Sequence, residues 1–161
     1  MLKAFFFITS FLLFSSLAYA GTDGFVYKKN SDGSEDKTTI IYYFGKAKSV
    51  TIPNSVKVIG EWAFAYNQLT SVTLPNSVAK IEKGAFWSNQ LARVTLPNSV
   101  TEIGEGAFWN NQLTSVTLPD SVTEIGKGAF GNNQLTSVTL PDSVTEIEDY
   151  EFDYNVKINR L

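Results

Sequence analysis

Histidine and cysteine are absent from the 161 residues of this chain. Without them there is no disulfide, no thiolate or imidazole metal site, and no catalytic unit in which histidine activates a serine or cysteine. An enzyme built from this chain would have only paired carboxylates or a metal held by oxygen ligands. Positive charge is also scarce, with 13 lysines and arginines against 16 acidic residues. A mildly acidic chain lacks the basic field that attracts phosphate backbones or anionic membranes, so we expect no nucleic-acid partner.

The single long apolar run lies at the N-terminus. Lys3 precedes a nearly uncharged apolar stretch at residues 4–17, and Ala18-Tyr19-Ala20 then fits the small-x-small pattern that signal peptidase recognises. The alternative, a membrane anchor, is disfavoured because a spanning helix needs about 20 apolar residues. We therefore predict a signal peptide over residues 1–20 and Gly21 as the first mature residue. The mature protein would have no membrane span and would be extracellular, on the cell surface or periplasmic.

A period of 22 residues governs most of the remaining chain. The heptad Leu-Thr-Ser-Val-Thr-Leu-Pro at residues 69–75 occurs three times without a change. A fixed period of this size is the signature of a solenoid, in which each repeat is one coil stacked on the next. We predict five units within residues 47–156, and they are residues 47–68, 69–90, 91–112, 113–134 and 135–156.

Each unit carries two groups of apolar residues. Val72 and Leu74 alternate with Thr73, which predicts a short strand, and the proline that follows ends it. Ile81 and Phe86 belong to the second group. Because one unit is too short to bury these side chains alone, we expect each to stack on its copies about 4.8 Å away, along a parallel sheet on one side. Two columns run without exception: Phe64, Phe86, Phe108, Phe130 and Phe152, and Ile59, Ile81, Ile103, Ile125 and Ile147.

The two ends of the array depart from the repeat. Residues 21–46 do not match it, and their strand-like stretches at 25–27 and 38–44 flank a polar, turn-rich segment at 30–36. We predict that they form a β-hairpin cap over the open edge of the first unit. Residues 157–161 continue an alternation of polar and apolar residues and include Lys157 and Arg160, which predicts a charged edge strand that discourages end-to-end pairing.

The unit L-x-x-V-x-L-P-x-S-V-x-x-I-x-x-x-A-F-x-x-N-Q resembles the BspA-like leucine-rich repeats of bacterial surface proteins. The resemblance covers residues 47–156. The sequence departs from the family pattern in two ways. Asparagine stands three residues after the phenylalanine, where that family often has cysteine, and the unit is one residue shorter than the family's commoner repeat. The resemblance implies a repeat solenoid of leucine-rich-repeat type, curved and right-handed, with short parallel strands and an N-terminal β-hairpin cap. It also implies a surface protein that binds macromolecules and no catalysis.

Bulky side chains interrupt the repeat in its middle units. Trp87 and Trp109 follow the inward phenylalanine, so they lie at the margin of the core, where they either stack and seal a turn or offer a binding platform. Gly131 fills the same column one unit later, which suggests that the core does not demand tryptophan. Arg93 replaces a serine on the predicted sheet. The candidate ligand-binding residues are Trp87, Trp109, Arg93, Thr73 and Thr95.

Three polar columns have other interpretations. Glu102, Glu124 and Glu146 form a column of negative charges. Such a column suits a solvated surface or a calcium site, and it suits a glycosidase pair least well. Alternating charges at Glu61, Lys83, Glu105, Lys127 and Asp149 predict a ladder of weak ion pairs. Stacked asparagines, Asn67, Asn89, Asn111, Asn133 and Asn155, are expected to satisfy backbone groups in a turn that recurs in every unit.

These observations predict an exported protein that recognises or adheres to a host matrix protein, other cells or a glycan. It would be no enzyme and hold no cofactor or metal. A surface antigen without a defined ligand is the first alternative, and an envelope carbohydrate-active protein is the second. The serine- and threonine-rich sheet face suits contact with an extended protein or glycan surface, because it offers no pocket for a small substrate.

Overall fold

The computed structural model describes residues 23–147 and 150–160, so the predicted signal peptide lies outside the described residues. The described chain is a solenoid of short strands. The strands are β1 (Phe25–Lys29), β2 (Glu35–Tyr43), β3 (Ser49–Thr51), β4 (Val58–Ile59), β5 (Ser71–Thr73), β6 (Lys80–Ile81), β7 (Arg93–Thr95), β8 (Glu102–Ile103), β9 (Ser115–Thr117), β10 (Glu124–Ile125), β11 (Ser137–Leu140) and β12 (Lys157–Arg160).

Strands occupy two sides of each coil. The A strands, which are β3, β5, β7, β9, β11 and β12, form the parallel pairs β3-β5, β7-β9 and β11-β12. The B strands, which are β4, β6, β8 and β10, form one parallel sheet that continues into the N-terminal hairpin in the order β1-β2-β4-β6-β8-β10. The short parallel strands are confirmed, and the B strands form an additional sheet that the sequence did not predict. Each B strand has two residues, too few to show the alternation by which a strand is recognised.

The N-terminal hairpin cap is confirmed. Strands β1 and β2 are antiparallel, and β2 pairs in parallel with β4, so that Ile40 lies beside Ile59 and begins the isoleucine column. Tyr43 stacks on Phe64 at a ring-centroid distance of 5.1 Å, and Phe25 packs against both rings. The cap therefore extends both the B sheet and the aromatic core beyond the first unit.

The phenylalanine column forms the centre of the core. Neighbouring rings from Phe64 to Phe152 lie 5.1 to 5.4 Å apart, and the four rings before Phe152 are fully buried. A third ladder of hydrogen bonds runs along this side without forming strands: the Phe86 amide donates to the Ala107 carbonyl at 2.7 Å, and the pattern repeats in each coil. Because every coil bonds and packs mainly to its two neighbours, the structure is modular along its axis.

Candidate functional site

The hydroxyl face is the outward side of the A strands β3, β5, β7, β9 and β11. In each strand the central valine points inward, and the two flanking residues are exposed. Three of the predicted site residues, Arg93, Thr73 and Thr95, lie together on this face. Nine of its ten outward residues are serine or threonine, and Arg93 is the exception: Ser49, Thr51, Ser71, Thr73, Arg93, Thr95, Ser115, Thr117, Ser137 and Thr139.

The register of the strands turns these residues into a regular grid. Ser49 pairs with Ser71, and Arg93 pairs with Ser115, so serines and the arginine form one column. The threonines form a parallel second column. Neighbouring coils are about 4.8 Å apart, and the two columns are about 7 Å apart, because residues i and i+2 of a strand point the same way. The result is a narrow, shallow and polar surface.

The two tryptophans of the predicted binding site do not lie on the hydroxyl face. They lie in the turn that follows the phenylalanine column. The rings of Trp87 and Trp109 stack at a centroid distance of 5.4 Å and an angle of 17°. Trp62, which the sequence analysis did not single out, extends the stack from the other side of Trp87, also at 5.4 Å. All three rings are half-buried. The arrangement matches the alternative in which the tryptophans stack and seal a turn, and ligand binding by their exposed edges remains a prediction.

Glycines in the next coil make room for these rings. A Cβ on Gly106 would lie 2.5 Å from the Trp87 ring, and a Cβ on Gly131 would clash with the Trp109 ring. The argument that Gly131 shows the column to be free of packing demands is therefore wrong. Trp109 lies against the Gly131 backbone, so the glycine leaves room for that ring. With a neighbouring ring on either side, Trp87 has no open face on which a ligand could stack.

Removal of two indole rings is expected to lower stability. We predict that Trp87→Ala/Trp109→Ala decreases the free energy of unfolding by about 3–5 kcal/mol, since each ring is half-buried and loses stacking and apolar contacts. Urea denaturation followed by circular dichroism measures the change. Arg93→Ser is the control, with an expected change below about 0.5 kcal/mol because Arg93 is exposed. An unchanged midpoint in the tryptophan variant would mean that these rings do not hold the turn.

The asparagine column stabilises the turn backbone. The Asn111 side-chain oxygen accepts a hydrogen bond from the Leu91 amide at 3.1 Å, while its side-chain nitrogen donates to the carbonyls of Phe86 and Phe108. Asn89 makes the equivalent bonds one coil earlier. Asn155 departs from the prediction because it is exposed, and the Asp153 carboxylate instead accepts the amides of the preceding coil.

Nine charged side chains line an open groove on the B side. Lys80 pairs with Glu102 at 2.6 Å, and the hydrogen bond from Lys80 to this carboxylate raises the pKa of the lysine. Lys83 pairs with Glu105 at 2.9 Å, which is one step of the predicted alternating ladder; Asp149 at its end lies outside the described residues. In the described ranges no three acidic side chains are grouped so that they could hold a metal ion, so the calcium interpretation of Glu102, Glu124 and Glu146 gains no support.

No helix within residues 23–147 and 150–160 is long and apolar enough to cross a membrane.

Comparison with solved structures finds several bacterial repeat proteins. The chain is 26% identical to the pneumococcal vaccine antigen PcpA, with a TM-score of 0.71 over 88% of this chain and 36% of that one, so it spans about a third of the antigen's length. It is 25% identical to a leucine-rich-repeat protein of T. pallidum, with a TM-score of 0.59 over 88% of this chain and 82% of that one. A leucine-rich-repeat protein from Bacteroides ovatus is 23% identical, with a TM-score of 0.52 over 76% and 41% of the two chains, and shows the shared fold.

The comparison with curated proteins gives no match. The family model of the BspA-type leucine-rich-repeat region matches residues 38–159 in six copies. The match begins within β2, which fits the structural finding that Ile40 starts the isoleucine column. The predicted repeat solenoid of leucine-rich-repeat type is thereby confirmed, and the chain belongs to the BspA-type leucine-rich-repeat family.

Proposed function

We propose that this protein is exported and recognises extracellular macromolecules through its hydroxyl face. The observation that carries the proposal is the grid of exposed hydroxyls, in which every outward side chain of the first five A strands is open to solvent. A hydroxyl both donates and accepts hydrogen bonds, so the grid can bind polar partners whose donors and acceptors are arranged in different ways. Its flatness favours an extended partner over a small substrate, which would need a pocket.

The hydroxyl grid is also well organised for binding. Threonine is stiff at χ1 because it is branched at Cβ, and serine is short, so little side-chain freedom is lost when a partner is bound. The strands themselves are held by hydrogen bonds between coils. A surface whose groups are already in place loses less free energy to ordering on association.

The other sides of the coil are less suited to recognition. The Trp87 ring has Trp62 on one side and Trp109 on the other, and the Trp109 ring lies between Trp87 and the backbone of Gly131. On the B side, Lys80 and Lys83 are engaged by glutamates of the next coil. On the hydroxyl face the outward hydroxyls are exposed and can exchange water for a partner's hydrogen bonds.

Family membership and the pattern of residues 1–20 support an extracellular role. A solved structure similar to this chain is that of a pneumococcal vaccine antigen, which suits exposure outside the cell. The leader pattern at residues 1–20 supports export. Catalysis forms no part of the proposal, because the family consists of repeat regions and the chain lacks histidine and cysteine.

The test is a matrix-protein and glycan array probed with protein that begins at Gly21. We expect a ligand whose affinity falls at least about tenfold in Thr95→Tyr, since the added ring stands above the flat grid and blocks a surface contact. Thr145→Tyr is the matched control, because Thr145 is exposed on the B side and should accept the change without loss of binding. Equal binding by the parent and Thr95→Tyr would contradict a role for the hydroxyl face.

A further inference from the structure

Charge is segregated between the two strand-bearing sides. The A strands contain no aspartate or glutamate, although the whole chain has 16 acidic residues. Three exposed cations, Lys48, Arg93 and Lys157, lie in these strands or directly before one. A fourth, Arg160, ends β12 and donates a hydrogen bond to the Val144 carbonyl at 2.7 Å. The acidic residues Glu102 and Glu124 lie in B strands. The A strands of this acidic chain therefore carry positive formal charges alone, although the exposed Asp120 and Asp142 follow β9 and β11 within three residues.

The three cations are spread along the solenoid axis. Arg93 lies in the serine column, and Lys157 occupies the same column because it pairs with Ser137. Lys48 comes directly before β3. With about 4.8 Å per coil, Lys48 and Arg93 are about 10 Å apart along the axis, and Arg93 and Lys157 are about 14 Å apart. Within the described ranges, the ion pairs involve none of the three.

This arrangement points to a linear anionic partner. Three cations at intervals of about 10–14 Å suit a polymer that carries negative groups along its length. Between the cations, each coil offers hydroxyls that can hydrogen-bond to a polymer rich in hydroxyl groups. Sugars that bear carboxylate or sulfate groups supply both features at once.

Other anionic polymers fit less well. A protein partner binds chiefly through apolar and aromatic anchors, and the hydroxyl face has no outward apolar or aromatic side chain. Single-stranded nucleic acid needs aromatic platforms for its bases as well as denser positive charge, and this face has neither.

We propose that the hydroxyl face binds a linear acidic polysaccharide that lies along the solenoid axis and carries carboxylate or sulfate groups. The inference rests on the proposed function and specifies its ligand class. Arg93 and the two lysines hold the anionic groups, and the serine and threonine columns bind the sugar hydroxyls between them.

Titration calorimetry on protein beginning at Gly21 tests the ligand class with four probes. Heparin supplies sulfate, polygalacturonate supplies carboxylate, dextran is a neutral polysaccharide, and polyglutamate is an acidic polypeptide. We expect binding to one or both acidic polysaccharides, weakened as ionic strength rises to about 0.5 M, and little binding to dextran. Equal binding to dextran would overturn the role of charge. Tighter binding to polyglutamate would overturn the polysaccharide in favour of an acidic protein segment.

Moving one cation tests the grid itself. Arg93→Ser restores the residue found at this position in other coils, and we expect affinity for the acidic polysaccharide to fall about fivefold. Arg93→Ser/Ser115→Arg moves the charge by one coil, about 4.8 Å, and should regain most of the loss because a flexible polymer follows the charge. Lys83→Ser removes an equal charge from the B side and should leave affinity unchanged.

The outcomes separate the two proposals. If Arg93→Ser binds as tightly as the parent, or Lys83→Ser loses as much, the cation line is not the binding feature. If neither acidic polysaccharide binds while Thr95→Tyr still abolishes binding of an array ligand, the ligand class is wrong and the hydroxyl face stands. If Thr95→Tyr has no effect on any ligand, the proposed recognition function fails as well.

Discussion

Phe108→Asp abolishes cooperative unfolding. The Phe108 ring is fully buried and stacks on Phe86 at 5.3 Å and on Phe130 at 5.4 Å. Aspartate removes these contacts and places a carboxylate in the core without a counter-charge. The expected loss exceeds about 5 kcal/mol, from the cavity and the buried charge together. A domain of this size has a total stability of about 5–15 kcal/mol, so most or all of it is lost. Thermal unfolding followed by near-ultraviolet circular dichroism measures the effect.

Two matched changes show that the loss comes from the core and not from altered composition. Tyr154→Asp introduces the same side chain at a fully exposed position and should change the unfolding free energy by less than about 0.5 kcal/mol. Deletion of the whole unit 91–112 should keep a cooperative transition at lower stability, because adjacent coils can stack in the same register. A folded Phe108→Asp protein together with an unfolded deletion variant would contradict the solenoid packing.

The sequence predicted the core columns because the repeat is nearly perfect. When an environment recurs every 22 residues, the inward position of Phe86 predicts that of Phe108 and Phe130, and all three are fully buried. The structure also confirms the hairpin cap, whose two strand-like stretches and polar turn are local signals. Periodicity is reliable here because it does not depend on the propensity of any single residue.

The B sheet and the third ladder could not be predicted from patterns within one unit. Lys80 and Ile81 form a strand because the copies on either side supply their backbone partners. Two residues contain no alternation, and the Phe86 amide bonds to the next coil without any strand at all. These features follow from stacking, which brings together residues that are far apart in sequence.

Trp62 was missed because contacts between coils join different positions of the repeat. Its ring lies against Gly84, which shares its column in the next coil, and packs on Trp87, which belongs to a different column. A signal was present in the sequence, since Gly84, Gly106 and Gly128 hold the position at which Trp62 stands. The glycines have positive φ, and Trp62 shares that conformation at 57°, which is strained for a bulky side chain.

The last turn departs from the 22-residue register of the earlier turns. Earlier A strands pair residues that are 22 apart, whereas Ser137 pairs with Lys157, which is 20 residues later. The shorter turn moves Asn155 out of the asparagine column, where column counting had placed it. The Asp153 carboxylate bonds to the preceding coil at a different point, by accepting the amides of Asn132 and Asn133. A shortened final turn is consistent with a terminal unit, in which no further coil has to be stacked.

The asparagine ladder is the polar counterpart of the phenylalanine column. Each Phe carbonyl at its centre receives two side-chain donors: Phe86 accepts from Asn89 of its own unit and from Asn111 of the next, and Phe108 accepts from Asn111 and Asn133. Asn89 and Asn111 are buried. The ladder therefore links successive turns through groups that water does not reach.

Asn111→Leu is expected to lower the free energy of unfolding by about 2–4 kcal/mol. Leucine has a similar size and keeps the volume filled, but it cannot accept from the Leu91 amide, which stays buried without a partner. Loss of the asparagine side chain also leaves the Phe86 and Phe108 carbonyls with one hydrogen-bond donor fewer each. Urea denaturation measures the change, and hydrogen exchange at the Leu91 amide should accelerate more than exchange in β3. Asn98→Leu is the control at an exposed position where other units have aspartate, and its stability should match that of the parent within about 0.5 kcal/mol. Equal unfolding midpoints for the two variants would show that the asparagine ladder does not stabilise the turn.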